Sequence, residues 1–219
     1  MKTNETLQQD VQNAIKWEPL LHAAEIGVTV KDGVVTLVGT VDSYSKKIEA
    51  ENAAKGVKGV KALVENLTIV TGNMWKKEDG DIAQEVLNAL KWNWSVPNDT
   101  VTVKVENGWV TLSGEQQWNY QRDAAKNAVV NLIGVLGVNN NITIKTDAKD
   151  QLEKEDIENA IGRNWSINDE DIEIAVEHNN VTLTGTVSSY YQKEEAERLA
   201  WKAKGVWNVT NNLSINWLD

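Results

Sequence analysis

The stretch Val28-Thr-Val-Lys-Asp-Gly-Val-Val-Thr-Leu-Val-Gly39 decides the fold, because the chain carries it three times. The copies lie at residues 103–114 and 174–185. Apolar residues alternate on both sides of a two-residue turn, which is the local pattern of a β-hairpin. The turn pairs are Asp32-Gly33, Asn107-Gly108 and His178-Asn179, all residue types that tolerate positive φ. The sequence therefore predicts three hairpins in one chain.

Apolar periodicity around each hairpin predicts the rest of a repeating unit. A short amphipathic helix precedes each hairpin, and a helix with spaced alanines and a final strand follow it. A strand–helix–strand connection crosses over right-handed and makes its two strands parallel. We therefore predict an α+β fold of three αββαβ repeats, each a mixed three-stranded sheet packed on one face by two helices. The predicted domains are residues 1–72, 77–146 and 149–219.

Eight glycines recur at matching repeat positions and form a structural signature. We expect those in the hairpin turns to supply backbone freedom, those after the second strand to let a helix approach the sheet, and the last group to sit at the C′ position of the second helix. The eight are Gly33, Gly39, Gly59, Gly108, Gly114, Gly134, Gly185 and Gly205.

Composition excludes several classes of function. The net charge is −10, and residues 147–219 hold 15 acidic but only 7 basic residues. Nucleic-acid binding requires phosphate neutralisation by Lys and Arg, so we expect no nucleic-acid partner. No apolar run is long enough to span a membrane, and there is no Cys. The first ten residues do not form a signal peptide, so we expect a cytoplasmic protein as written, or a periplasmic one if a longer precursor was trimmed.

The repeated pattern resembles the BON domain, a bacterial domain named from an osmotically induced periplasmic protein and from nodulation proteins. The resemblance lies in V-x-V-x-[DN]-G-x-V-x-L-x-G, the alanine-spaced helix, the Gly-Val pair and the final N-[LI]-[TS]-[IV] strand. It covers essentially the whole chain as three tandem copies. It implies an αββαβ fold without enzymatic activity, and an association with phospholipid or membrane surfaces and with osmotic or envelope stress. Some members bind small ligands or potassium in the cytoplasm.

Ten tryptophans and no phenylalanine are the most unusual feature of the composition. Four of the tryptophans fall in equivalent pairs near the end of the first helix, and we expect them in the core: Trp17 with Trp92, and Trp94 with Trp165. Six have no Trp counterpart and are candidates for packing between repeats or for a lipid or ligand surface. These six are Trp75, Trp109, Trp118, Trp201, Trp207 and Trp217.

No catalytic or metal-binding constellation emerges from the remaining polar residues. The two histidines, His22 and His178, are not equivalent, and turn chemistry explains the second. The acidic clusters lack the glycine and ligand spacing of a calcium loop. We therefore expect no enzyme and no cofactor, but a binding or scaffold protein that associates with phospholipid. The alternative is a cytoplasmic protein-interaction or ion-responsive module.

Overall fold

A computed structural model describes residues 2–72, 77–145, 154–164, 167, 171–203 and 205–216. The chain divides into two compact units. One consists of Met1–Thr40, Ile48–Thr68 and Lys149–Asp219, and the other of Val41–Lys47 and Ile69–Ala148.

Each repeat follows the predicted order of helix, two strands, helix and strand. The first contains α1 (Asn4–Trp17), a 3₁₀ turn (Ala23–Glu25), β1 (Ile26–Lys31), β2 (Val34–Val41), α2 (Tyr44–Lys55) and β3 (Ala62–Ile69). The second contains α3 (Asp79–Trp92), β4 (Val101–Glu106), β5 (Trp109–Gln116), α4 (Asn119–Val130) and β6 (Gly137–Ile144). The third contains α5 (Lys154–Gly162), β7 (Ile172–Glu177), β8 (Asn180–Val187), α6 (Tyr190–Ala200), β9 (Asn208–Asn211) and β10 (Ser214–Ile215).

The sheet topology confirms the predicted α+β fold. In the second repeat β4 pairs antiparallel with β5, and β5 pairs parallel with β6 from Trp109↔Gly137 to Gln116↔Ile144. The second strand of every hairpin is therefore the central strand of its sheet. In the third repeat the final strand is divided into β9 and β10, and both pieces pair with β8.

The alternation read from the sequence sets the buried face of each sheet. Leu37, Leu112 and Leu183 occupy equivalent positions on the central strands, and all three are fully buried. The first helices complete the core by presenting apolar residues four apart, such as Ile82, Val86 and Leu90 of α3. In repeats two and three these residues join one apolar cluster per repeat.

The glycine that closes each quoted stretch has a different role from the predicted one. Gly114 holds φ at +142°, and a Cβ atom added there would lie 2.2 Å from the backbone oxygen of Thr100. Gly39 and Gly185 are constrained in the same way by the backbone oxygens of Glu25 and Asp171. A side chain at these glycine positions is thus excluded by the backbone just before the first strand, and not by a helix. The expectation of helix contact was wrong.

The glycines expected at the helix C′ positions lie beyond them. Helix α4 ends at Val130, and Gly134 follows in a turn with φ at +92°. This turn brings the chain back to the hairpin, where Leu136 N–H donates to the Gly108 oxygen at 2.8 Å. The carbonyl groups of Gly33 and Asn179 accept equivalent bonds. These glycines therefore shape the return to the third strand and do not cap the helix.

An asparagine on the third strand connects the sheet to the second helix, which sequence reasoning missed. Asn140 Nδ2 donates to the Arg122 oxygen at 2.9 Å, and Asn211 Nδ2 donates to the Lys193 oxygen at 2.8 Å. The Oδ1 of Asn211 also accepts from the Leu213 N–H. This half-buried amide, which both donates and accepts a hydrogen bond, fixes the strand against the helix.

Candidate functional site

Three tryptophans expected in the core project into solvent. Trp17, Trp92 and Trp94 are 85%, 84% and 92% exposed. The expectation failed because Trp17 lies two residues beyond the buried Ile15, which is a rotation of about 200° around the helix. Trp92 has the same relation to Leu90. Trp165 lies outside the described residues.

These exposed rings sit at the C-terminal ends of the first helices of repeats one and two. Helix α1 ends when the Glu18 N–H donates to the Ile15 oxygen, and α3 ends when the Asn93 N–H donates to the Leu90 oxygen. Leu20 adds a further exposed apolar side chain just after Trp17. Exposed Trp is uncommon on a soluble domain, so the two helix ends are candidate contact points for an apolar environment.

A groove opens in the second repeat between α3 and the segment that follows it. Its volume is about 380 Å³, within the range of ligand sites. The walls combine five apolar residues with a cation, an amide and a carboxylate: Leu87, Leu90, Val96, Pro97 and Val101, with Lys91, Asn98 and Asp99. Leu87 is half exposed at the rim, and Asp99 holds φ at +60°.

The six unmatched tryptophans do not share one environment. Trp109 is half exposed, and its ring covers Gly137 on the paired strand. Trp207 is also exposed, and Trp118 is half-buried at the N-cap of α4. Trp201 packs against the apolar cluster of its own repeat. Trp75 and Trp217 lie outside the described residues.

Two contacts between repeats involve lysine, glutamate and tyrosine side chains. Within the unit that contains repeats one and three, Lys55 Nζ lies 2.9 Å from Glu194 Oε1 and 5.3 Å from the ring centre of Tyr190. Within the other unit, Tyr44 packs against the apolar cluster of the second repeat. Tyr44 and Tyr190 are equivalent positions, the first residues of α2 and α6. A tyrosine repeated at the start of the second helix therefore takes part in contacts between repeats.

An acid with a lowered pKa lies between the helices of the third repeat. The Glu195 carboxylate is nearly buried, and it accepts from Arg198 Nε at 2.7 Å and from Asn164 Nδ2 at 2.9 Å. The hydrogen bond from Arg198 is the main reason that the pKa of Glu195 is lowered. Asn164 caps the C-terminal end of α5, so this contact joins the two helices.

Glu195→Gln is expected to destabilise the third repeat by about 1–2 kcal/mol at pH 7, because the charge-assisted hydrogen bonds become neutral ones. A carboxyl whose folded pKa is lowered stabilises the fold above its unfolded pKa of about 4.3, and this contribution is lost as the pH falls through the folded value. Hydrogen exchange of α6 amides at pH 7 and at a series of lower pH values, down to about pH 2, measures both effects. Glu173→Gln, at an exposed position, is the control. An unchanged deficit at the lowest pH would show that the Glu195 charge is not its source.

The first repeat places a different pair at this position. Glu49 corresponds to Glu195, and Glu18 corresponds to Asn164. Burial raises the pKa of Glu49, and the negative charge of Glu18 raises it further. Protonation of Glu49 therefore stabilises the first repeat, whereas ionisation of Glu195 stabilises the third.

The described residues hold no arrangement suited to metal catalysis. Across the described ranges, no group of three or more His, Asp or Glu side chains is placed to hold a metal ion. Among these same residues, no helix combines the length and apolar character that crossing a bilayer requires. The described residues do offer exposed aromatic side chains, the groove of the second repeat, and sheet faces open to solvent.

These features define a tandem array of three small α+β modules. The chain belongs to the BON domain family: the BON domain matches residues 3–71, 78–146 and 149–216. It is similar to the Osmotically-inducible protein Y of Escherichia coli (strain K12), with 32% identity over 129 residues. The match covers 57% of this chain and 64% of that protein, less than two thirds of the relative's length.

Two solved structures of CdsD, a structural protein of the type III secretion system of Chlamydia trachomatis, also match. One is 15% identical and covers 95% of this chain and 91% of CdsD, with a TM-score of 0.26. The other, its C-terminal domain, is 14% identical and covers 99% and 100%, also with a TM-score of 0.26. Nothing about the function of this chain follows from a likeness of that size.

Proposed function

We propose that this protein is a non-enzymatic binding protein that associates with phospholipid surfaces through the first-helix ends of repeats one and two. The observation that carries the proposal is the exposure of Trp17, Trp92 and Trp94, each above four fifths. The similarity to a protein named as osmotically inducible supports a role in bacterial osmotic or envelope stress.

Tryptophan suits this role because its ring is apolar while its indole N–H forms hydrogen bonds, which places it at the boundary between lipid and water. Burying roughly 100 Å² of one ring would contribute about 2.5 kcal/mol to binding. A folded domain gains nothing for its own core from rings held in water. Contact with a lipid surface would remove that apolar area from water.

The charge of the chain indicates which lipids it would bind. The net charge of −10, most of it in residues 147–219, gives the protein no overall attraction to an anionic surface. Association driven by tryptophan burial is expected to be strongest on zwitterionic lipid and to depend little on salt. Binding would therefore weaken as anionic lipid is added to the vesicles.

Replacing Trp17, Trp92 and Trp94 together by Ser is expected to lower partitioning into phosphatidylcholine–phosphatidylethanolamine vesicles by more than about tenfold. Vesicle co-sedimentation measures this. The matched control is Trp109→Ala with Trp118→Ala, which removes two rings at other positions and should leave partitioning nearly unchanged. Wild-type protein that does not sediment with vesicles, or a loss confined to the control, would contradict the proposal.

A second candidate, protein interaction, is favoured by the sheet face of the first repeat. Val34, Val38 and Val64 are exposed on β2 and β3, where the other repeats place mostly polar residues. Such an apolar sheet face fits a protein partner. The two functions can be separated because Val38→Glu alters this face, whereas the tryptophan variant alters the helix ends.

A further inference from the structure

We propose that the groove of the second repeat binds one zwitterionic phospholipid headgroup of the phosphocholine or phosphoethanolamine class, together with the first part of its acyl chain. This inference rests on the proposed function, because it names the lipid chemistry that one of the two surfaces recognises. The groove is lined by α3, by the segment that follows it and by the first residue of β4.

The apolar walls of the groove suit the chain of an amphiphile. Leu90 and Val96 belong to the core of the repeat and form the floor, while Leu87 is half exposed at the rim. Half of the Leu87 side chain is exposed to water at the edge of the groove. An apolar group that enters the groove would cover this surface and stabilise the complex. The volume of about 380 Å³ is large enough for a small ligand.

The polar lining suits a headgroup with both charges. Lys91 contributes an ammonium group, and Asp99 contributes a carboxylate to the same groove. Within the described part of the chain, neither side chain has a hydrogen-bond or ion-pair partner. The phosphate of a zwitterionic lipid complements Lys91, and its ammonium complements Asp99.

Asp99 also holds a backbone conformation that has a cost. Its φ of +60° is uncommon for a residue other than glycine, although Asp and Asn adopt it more readily than most. This conformation places a carboxylate at the groove. Asp99→Asn keeps the backbone tolerance and removes only the charge, which makes it a clean test.

The sister repeats provide an internal comparison. In the third repeat Glu158, which lines a pocket of about 190 Å³, replaces Leu87, and Gly162 replaces Lys91. In the first repeat Lys16 corresponds to Lys91, but Gln12 and Ala24 replace Leu87 and Asp99. Only the second repeat combines the apolar rim with both charges, so a headgroup site is expected there alone.

Titration of the full chain with dodecylphosphocholine below its micelle concentration tests this inference. Backbone amide shifts of the groove residues are expected to change saturably. Lys91→Gln and Asp99→Asn should each raise the Kd by about fivefold, because each removes one partly exposed charge contact. Leu87→Gln, the residue found in the first repeat, should raise it by about tenfold. Lys16→Gln is the matched control and should leave the Kd unchanged.

Amphiphiles with other headgroups show whether the groove recognises both charges of the phosphocholine headgroup. Dodecyl phosphate and dodecyltrimethylammonium each carry one of the two charges, and dodecyl maltoside carries none. Weaker binding of all three than of dodecylphosphocholine is the expected result. Equal binding of dodecyl maltoside, or saturable shifts that are absent from the groove, would overturn the inference.

Failure of the groove inference can be distinguished from failure of the proposed association with lipid surfaces. Vesicle association that persists in Lys91→Gln, without saturable binding of the monomeric amphiphile, would overturn the groove inference and leave the surface role standing. Saturable binding of the monomer without any vesicle association would support the groove and remove the surface role.

Discussion

Replacing Gly114 by Ala is expected to destabilise the second repeat by more than about 3 kcal/mol. The new methyl group would lie 2.2 Å from the Thr100 oxygen, and φ at +142° is disfavoured for any residue with a Cβ. Neither conflict can be relieved by a side-chain rotation, because both partners are backbone. Hydrogen exchange of the β5 amides and urea unfolding measure the loss.

Gly80→Ala is the matched control for this substitution. Gly80 lies in the first turn of α3, and no atom lies within 4 Å of its added Cβ. Alanine there is expected to raise the stability slightly, by up to about 1 kcal/mol, because it restricts the unfolded chain. Equal free energies of unfolding for Gly114→Ala and Gly80→Ala would contradict the close approach of the Thr100 backbone to Gly114.

Leu37→Ala is expected to lower the free energy of unfolding of the first repeat by about 3 kcal/mol. The side chain is fully buried on the central strand, so its removal leaves a cavity between the sheet and its helices. A domain of this size holds only about 5 kcal/mol or slightly more in total. The variant should therefore be substantially unfolded at moderate urea concentration, which circular dichroism and hydrogen exchange of β2 would show.

The adjacent residue gives the comparison, because consecutive residues of a strand face opposite sides. Val38 is 42% exposed, and Val38→Ala is expected to cost less than about 1 kcal/mol. Equal losses at the two positions would contradict the assignment of the buried face.

The hairpins and the parallel third strand could be predicted because their determinants are local and repeated three times. Alternation fixes which residues of β2 are buried, and a two-residue turn fixes its register against β1. The crossover through α2, α4 or α6 then makes the last strand parallel. None of these steps depends on knowing how side chains pack.

The candidate site was less predictable because it depends on packing and on helix phase. Trp17 and Trp92 were expected in the core from their hydrophobicity, yet their position two residues after the last buried residue already points them away from it. A stricter reading of the helical period would have found this. The groove could not be found in that way, because it depends on how Leu87 and Asp99 approach one another from separate segments.

The Trp109 ring over Gly137 constrains how this repeat can evolve. A Cβ atom at position 137 would lie 2.4 Å from the ring, so a larger residue there would require the tryptophan side chain to move. The first repeat has Val34 and Ala62 at the paired positions, and the third has Asn180 and Asn208. A mutational path that shrinks the aromatic residue first avoids this clash, whereas one that enlarges the glycine first must displace the ring. The effects of substitutions at the two sites are therefore expected to depend on one another.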